Sequence, residues 1–245
     1  SADLPQVERL IATLKQVGSP RDDEALAKLA IAFVQSGIAY DYQTAYNLTS
    51  GKILYPSETL QRGKGVCADK TILLAALLLR IGFSVAVFTW ERANHMALGI
   101  KVPQVFGNFG SAYAMVETTG LTAIGQVPER YAGGIRLEGR PEIVEISGGA
   151  GVFQSIVAQR KEEAELAKKY GDKYLTMPVA QQVIFRQMFP LQAEIENLSK
   201  QLKGCSGNLL PARFAECQIL HQQHNTKVAA YNALVLKFNA AASPA

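Results

Sequence analysis

The chain has no run of about 18 or more consecutive apolar residues, the length a helix needs to cross a bilayer. Its longest apolar run, Ile72 to Leu79, has the size of a core helix segment. Charge of one sign is also scarce: 25 basic against 21 acidic residues leave a net charge of +4. No stretch interleaves basic with aromatic residues, so nothing points to a nucleic-acid partner. No D-x-D-x-D-G spacing for calcium occurs, and neither a metal nor another cofactor is expected. A basic-then-apolar leader is missing at Ser1; a leader or anchor trimmed ahead of Ser1-Ala2 stays open. A composition of 48% hydrophobic and 19% charged residues is that of an ordinary globular chain and shows no sign of disorder. Cysteine and histidine are rare, at three each, which makes the position of each one informative.

What is present falls into two parts with different periodicity. Residues 3–17 place Leu4, Val7, Leu10, Ile11, Leu14 and Val17 at helical steps, and Gly18-Ser19-Pro20 ends that helix. Arg21-Asp22-Asp23 opens a second helix to about Ser36, with Gly37 at its stop. Residues 38–62 read as loop, with Tyr40, Tyr42, Tyr46 and Tyr55 as aromatic bulk. A third helix runs from about Cys67 to Ile81, stopped by Gly82. The segments 83–90, 95–102 and 112–119 then read as strands, and 135–146 as a late strand pair. Helices followed by an antiparallel sheet make an α+β domain over residues 1–150. The Gly148-Gly149-Ala150-Gly151 cluster marks its end. Residues 151–245 form a helical extension whose two long patterns predict an antiparallel hairpin, with Pro190 kinking or interrupting the first.

Cys67 follows Gly63 and Gly65 and stands where the third helix begins. Free backbone N–H groups and the helix dipole favour a thiolate there. A cysteine in this place is equally a small buried hydrophobe. A nucleophilic cysteine requires a base, and His95 opens a strand 28 residues later. The base requires an orienting partner, and Glu117 ends the next strand. His95 with Ala97 and Gly99, and Glu117 with Met115 and Tyr113, have the parity to share one sheet face. Taken singly, His95 is also a turn histidine and Glu117 a solvated strand-end carboxylate.

With these residues in view, "YPSETLQRGKGVCADKTILLAALLLRIGFSVAVF", "NHMALGI" and "AYAMVETTG" resemble the transglutaminase-like superfamily, a branch of the papain-like cysteine-enzyme fold, over residues of about 22–130. The matching motifs are Gly65-Val66-Cys67, His95 and Glu117-Thr118-Thr119; many relatives have aspartate where Glu117 stands. The resemblance implies Cys67, His95 and Glu117 as a catalytic triad and the Cys67 N–H as one oxyanion donor; the family's donor upstream of the cysteine is not evident here, and Tyr55 is either a second donor or a packing aromatic. It also implies acyl transfer on a peptide or carboxamide, ending in hydrolysis, as in prokaryotic protease- or amidase-like relatives, or in transamidation. The alternative is an inactive domain of the same fold that binds a protein partner, through the C-terminal helices or otherwise.

Three features stand apart from that site. Cys205 and Cys217, twelve residues apart, either close a disulfide across the helical turn or remain reduced thiols. A disulfide favours an extracytoplasmic location, whether secreted, periplasmic or on an anchored ectodomain; free thiols favour the cytoplasm. His221 and His224 make an H-x-x-H with no third ligand in sight. Asn47-Leu48-Thr49 and Asn197-Leu198-Ser199 have glycosylation spacing, which matters only in a eukaryotic secretory source.

Overall fold

The computed structural model describes residues 4–46, 52–128, 131, 136–205 and 211–241. The chain divides into two compact units, Ser1–Arg160 and Lys161–Ala245.

The first unit opens with helices α1 (Leu4–Gly18) and α2 (Asp23–Ala32). Asp22 caps α2 by accepting the Ala25 N–H at 2.7 Å. The last turn of α2 widens into a π-helical turn, Phe33–Gly37. The segment read as loop is partly ordered into a short strand β1 (Ala39–Tyr40) and helices α3 (Tyr42–Tyr46) and α4 (Pro56–Arg62). These elements are too short for hydrophobic periodicity to register. Their signals are local: Pro56 at the first turn of α4, and the Glu58 carboxylate returning to the Tyr55 N–H at 2.8 Å. The tripeptide Asn47-Leu48-Thr49 lies outside the described residues.

Strand β2 (Lys64–Gly65) pairs in parallel with β1, Tyr40 opposite Gly65, and leads into helix α5 (Cys67–Ile81). Gly65 is fixed by space: a Cβ there would meet the Asp69 Cβ at 2.8 Å. Gly82, in the left-handed conformation at φ +116°, ends α5, and the Phe83 N–H returns to the Leu78 carbonyl.

Strands β3 (Val85–Trp90), β4 (His95–Lys101), β5 (Tyr113–Val116) and β6 (Glu142–Ile146) form one sheet in the order β5-β4-β3-β6. Every neighbouring pair is antiparallel. The late strand pair expected over 135–146 is a single strand, β6; residues 136–141 are irregular, and Pro141 immediately precedes the strand. One sheet face carries Val85, Leu98, Ile100, Ala114 and Val116 against Leu73, Leu74, Leu77 and Leu78 of α5 and the buried residues of α2. The other holds a smaller core of Ala86, Phe88, Trp90, Ala97, Tyr113, Met115 and Tyr131. This is an α+β architecture with the cysteine-bearing helix packed on an antiparallel sheet.

Helix α6 (Ile156–Tyr170) begins where Glu24 accepts the Gln154 and Ser155 N–H groups. In the second unit, α7 (Lys173–Thr176) is followed by two long helices, α8 (Val179–Leu202) and α9 (Pro211–Ala240). Three contacts fix their antiparallel register: Gln181 Nε2 to the Phe238 carbonyl at 3.1 Å, Lys227 to Glu194 at 2.5 Å, and Ser199 Oγ to His224 Nε2 at 3.0 Å. A disulfide joins Cys205 to Cys217. Helix α8 runs through Pro190 without interruption. The hairpin is staked at both ends, by that disulfide and by the aromatic cluster of Tyr170, Tyr174, Phe185, Phe189 and Phe238. Among the described residues no helix is long and apolar enough to cross a membrane.

Candidate active site

Cys67 is the first residue of α5, so its N–H has no intrahelical acceptor. The next residues each secure a different part of the chain. Asp69 Oδ2 accepts the Val66 N–H at 3.0 Å and Oδ1 the Leu54 N–H at 2.7 Å, closing the start of the helix. Lys70, 1% exposed, places its ammonium on the Ile38 carbonyl at 2.5 Å and the Gln35 carbonyl at 3.5 Å. Thr71 Oγ1 donates to the Met96 carbonyl at 3.2 Å and lies 3.4 Å from Thr118 Oγ1.

His95 begins β4 after a tight 3₁₀ turn, Glu91–Ala93, and after Asn94 in the left-handed conformation at φ +46°. Asparagine tolerates that conformation, which lets the chain reverse just ahead of the imidazole. The β4–β5 ladder pairs Leu98 with Val116; its continuation sets Ala97 opposite Glu117 and makes His95 a diagonal neighbour of Glu117 on the same face. His95 Nε2 lies 2.9 Å from Glu117 Oε2. The other Glu117 oxygen accepts from the Thr119 N–H at 2.7 Å and the Thr119 hydroxyl at 2.6 Å. The Glu117 carbonyl is held by Gln35 Nε2 at 2.9 Å, and Gln35 projects from the π-helical turn.

With Nε2 on Glu117, Nδ1 is the nitrogen left for Cys67. The thiol directs its hydrogen bond to the Asn94 carbonyl, at 3.8 Å, and the imidazole still feels the sulfur. Burial pulls the His95 pKa down, but hydrogen bonds to Cys67 and Glu117, with their charges, outweigh it and raise the pKa from 6.5 to about 9. Cys67, His95 and Glu117 are 8%, 5% and 2% exposed.

Tyr55 stands exposed, at 62%, as the N-cap of α4. Tyr40 does feel the site. Burial, then the charge of Cys67, followed by Tyr42, Glu117 and Tyr46, raises its phenol to about 12, so it stays protonated and able to donate. Lys70 is lowered to about 8 by burial, against the opposing pull of Glu117. Trp90 and Tyr131 flank the imidazole, with ring centroids 6.1 and 4.6 Å from it. Residues 89–93 with Arg136, Glu138, Gly139, Arg140 and Glu142 line a cleft of about 630 Å³. His221 is exposed, and His224 is bonded to Ser199 across the hairpin.

Sequence reasoning did not assign Gln35, Tyr40, Lys70, Thr71, Trp90 or Tyr131. Lys70 carried the clearest signal, a charged residue one turn into an otherwise apolar helix, where burial requires partners.

Cys67 at a helix start, His95 at a strand start and Glu117 bonded to His95 thus come together on an α+β scaffold. Residues 8–106 match the family described as a transglutaminase-like domain, which supports the likeness of this part of the chain to the transglutaminase-like superfamily. The match begins earlier than the motifs imply, at α1, and ends ahead of β5, so it includes Cys67 and His95 but not Glu117. Families of this kind generally contain cysteine-dependent enzymes. No curated protein matches the chain.

Proposed function

We propose that the first unit is a cysteine-dependent acyl-transfer enzyme acting on a peptide or carboxamide carbonyl. The observation that carries this reading is the 2.9 Å pairing of His95 Nε2 with Glu117, which leaves Nδ1 to the thiol at the start of α5. Glu117 fixes the tautomer with the proton on Nε2, so the Nδ1 lone pair takes the Cys67 proton. The thiolate attacks the carbonyl carbon, a C–S bond forms, and the π electrons move to oxygen. The Cys67 N–H and the Tyr40 hydroxyl are suited to that oxyanion, Tyr40 taking the place first considered for Tyr55. Collapse breaks the C–N bond as the imidazolium gives its proton to the leaving nitrogen. Water, deprotonated by His95, attacks the thioester, releases the acid and returns the thiol. An amine in place of water completes a transamidation.

Cys67 is the one free cysteine among the described residues, so alkylation reports on it alone. Iodoacetamide should modify Cys67 well below pH 8, the range of an ordinary thiol, and His95→Ala should abolish that behaviour. A Cys67 that reacts only after denaturation would sink the proposal and favour the second reading, a non-catalytic binding module. The burial of all three side chains supports that second reading. So do the exposed apolar residues Phe214, Ile219 and Leu236 on α9, which suit a protein partner.

A further inference from the structure

Three buried side-chain polar atoms lack a hydrogen-bond partner among the described residues: Trp90 Nε1, Tyr131 Oη and Thr122 Oγ1. Two of the three belong to the residues that flank His95. Trp90 is 4% exposed and lies directly across the β3–β4 ladder from His95; Tyr131 is 7% exposed. The neighbouring polar groups do not serve them. His95 Nε2 is on Glu117, both Glu117 carboxylate oxygens are engaged, and Gln35, Lys70 and Thr71 have partners. An indole N–H can only donate, so whatever completes the site supplies an acceptor. Buried donors are rarely left empty, because the lost hydration is not repaid until a partner arrives.

The position of these donors says which part of a ligand they meet. In the proposed reaction the leaving nitrogen takes its proton from His95, so it must come within reach of the imidazole. Atoms bonded to that nitrogen then lie over the ring's neighbours, which are Trp90 and Tyr131. Trp90 also lines the cleft, which has room for more chain. The cleft's charged side chains, Glu91, Arg92, Arg136, Glu138, Arg140 and Glu142, are of both signs. A lining of mixed sign does not select a charged side chain, and main-chain recognition by uncharged donors fits it better.

We propose that Trp90 Nε1 and Tyr131 Oη form a subsite for a carbonyl oxygen on the leaving-group side of the scissile bond. The substrates are then amides whose nitrogen belongs to an amino-acid residue, rather than primary carboxamides that release ammonia. This rests on the acyl-transfer reading.

Trp90 is the one tryptophan of the chain, so intrinsic fluorescence reads the subsite directly and without turnover. In Cys67→Ser protein, glycinamide, which carries the carbonyl, should shift Trp90 emission saturably, and propylamine, which lacks it, should not. Tyr131→Phe should weaken glycinamide binding about fivefold, the worth of one ordinary hydrogen bond. In protein with Cys67 intact and acylated by p-nitrophenyl acetate, the preference for glycinamide over propylamine as acyl acceptor should fall about fivefold in Trp90→Phe. Equal fluorescence responses to the two amines, no response to either, or an unchanged preference in Trp90→Phe would overturn the subsite. Failure of p-nitrophenyl acetate to acylate Cys67, seen by mass, would instead overturn the acyl-transfer reading and leave the fluorescence result to judge the subsite alone.

Discussion

Glu117→Gln is the sharpest test of how the site holds its proton. The carboxylate accepts on both oxygens, from His95 on one and from Thr119 on the other. A glutamine has one acceptor atom and one donor group. If its oxygen stays with Thr119, its NH₂ meets His95 Nε2 and forces that nitrogen to accept. The ring proton then moves to Nδ1, facing Cys67, where it can no longer take the thiol proton. If the oxygen turns to His95, two Thr119 donors lose their partner. Either way the buried imidazolium loses its counter-charge, a loss that typically costs roughly 3–5 kcal/mol, or about two to four pH units on its midpoint. The wild-type midpoint of about 9 should therefore fall to the ordinary 6.5 or below, because burial, no longer opposed, also lowers it.

Proton NMR of the imidazole rings measures this directly, since the chain has only three histidines. Stability gives the companion readout. A folded-state pKa raised from 6.5 to about 9 means the folded protein binds the extra proton between those values. Its stabilisation is fully present below pH 6.5 and is lost as pH rises through 9. The difference in unfolding free energy between wild type and Glu117→Gln should shrink across that window. A wild-type His95 that titrates at or below 6.5, or a Glu117→Gln midpoint equal to that of wild type, would refute the reasoning.

Lys70 should show the opposite slope. Its pKa is lowered from 10.5 to about 8, so between those values the unfolded chain binds more protons and stability rises with pH, by about 3 kcal/mol in all. Urea unfolding of wild type against Lys70→Met across this range should isolate that rise; parallel curves would contradict it. In the second unit, replacing Cys205 and Cys217 together by serine should destabilise the hairpin by about 3 kcal/mol, the chain-entropy value for a loop of this length. Non-reducing peptide mass spectrometry should find the two cysteines linked, an arrangement compatible with an oxidising compartment.

The long elements were legible because their burial leaves a period in the sequence. The apolar face of α5, the β-branched and aromatic run of β3 and the three- and four-residue steps in α9 all follow from which side chains leave water. The parity that puts His95 and Glu117 on one face was readable for the same reason, and the observed register agrees with it. The two-residue strands, the short helices α3 and α4 and the π-helical turn were not readable. They are held by single hydrogen bonds and by Gly65, not by a repeating apolar face. Gln35 reaches Glu117 across 82 residues of sequence, and no local pattern encodes a contact of that range. At Pro190, where a kink or an interruption was expected, no interruption occurs, since α8 continues through it.

The opening turn of α5 fastens residues 54, 38, 35 and 96 through three successive side chains, Asp69, Lys70 and Thr71. Helix ends ordinarily fray in isolation, but this one cannot loosen without releasing the neighbouring α4 approach, the β1 approach and the β4 strand together. Amide hydrogen exchange at residues 70 and 71, the first whose N–H groups have intrahelical acceptors, should consequently proceed at the rate of global opening of the first unit rather than at the rate of a free helix terminus. The mount of Cys67 and the domain's cooperativity are, in that sense, the same few bonds.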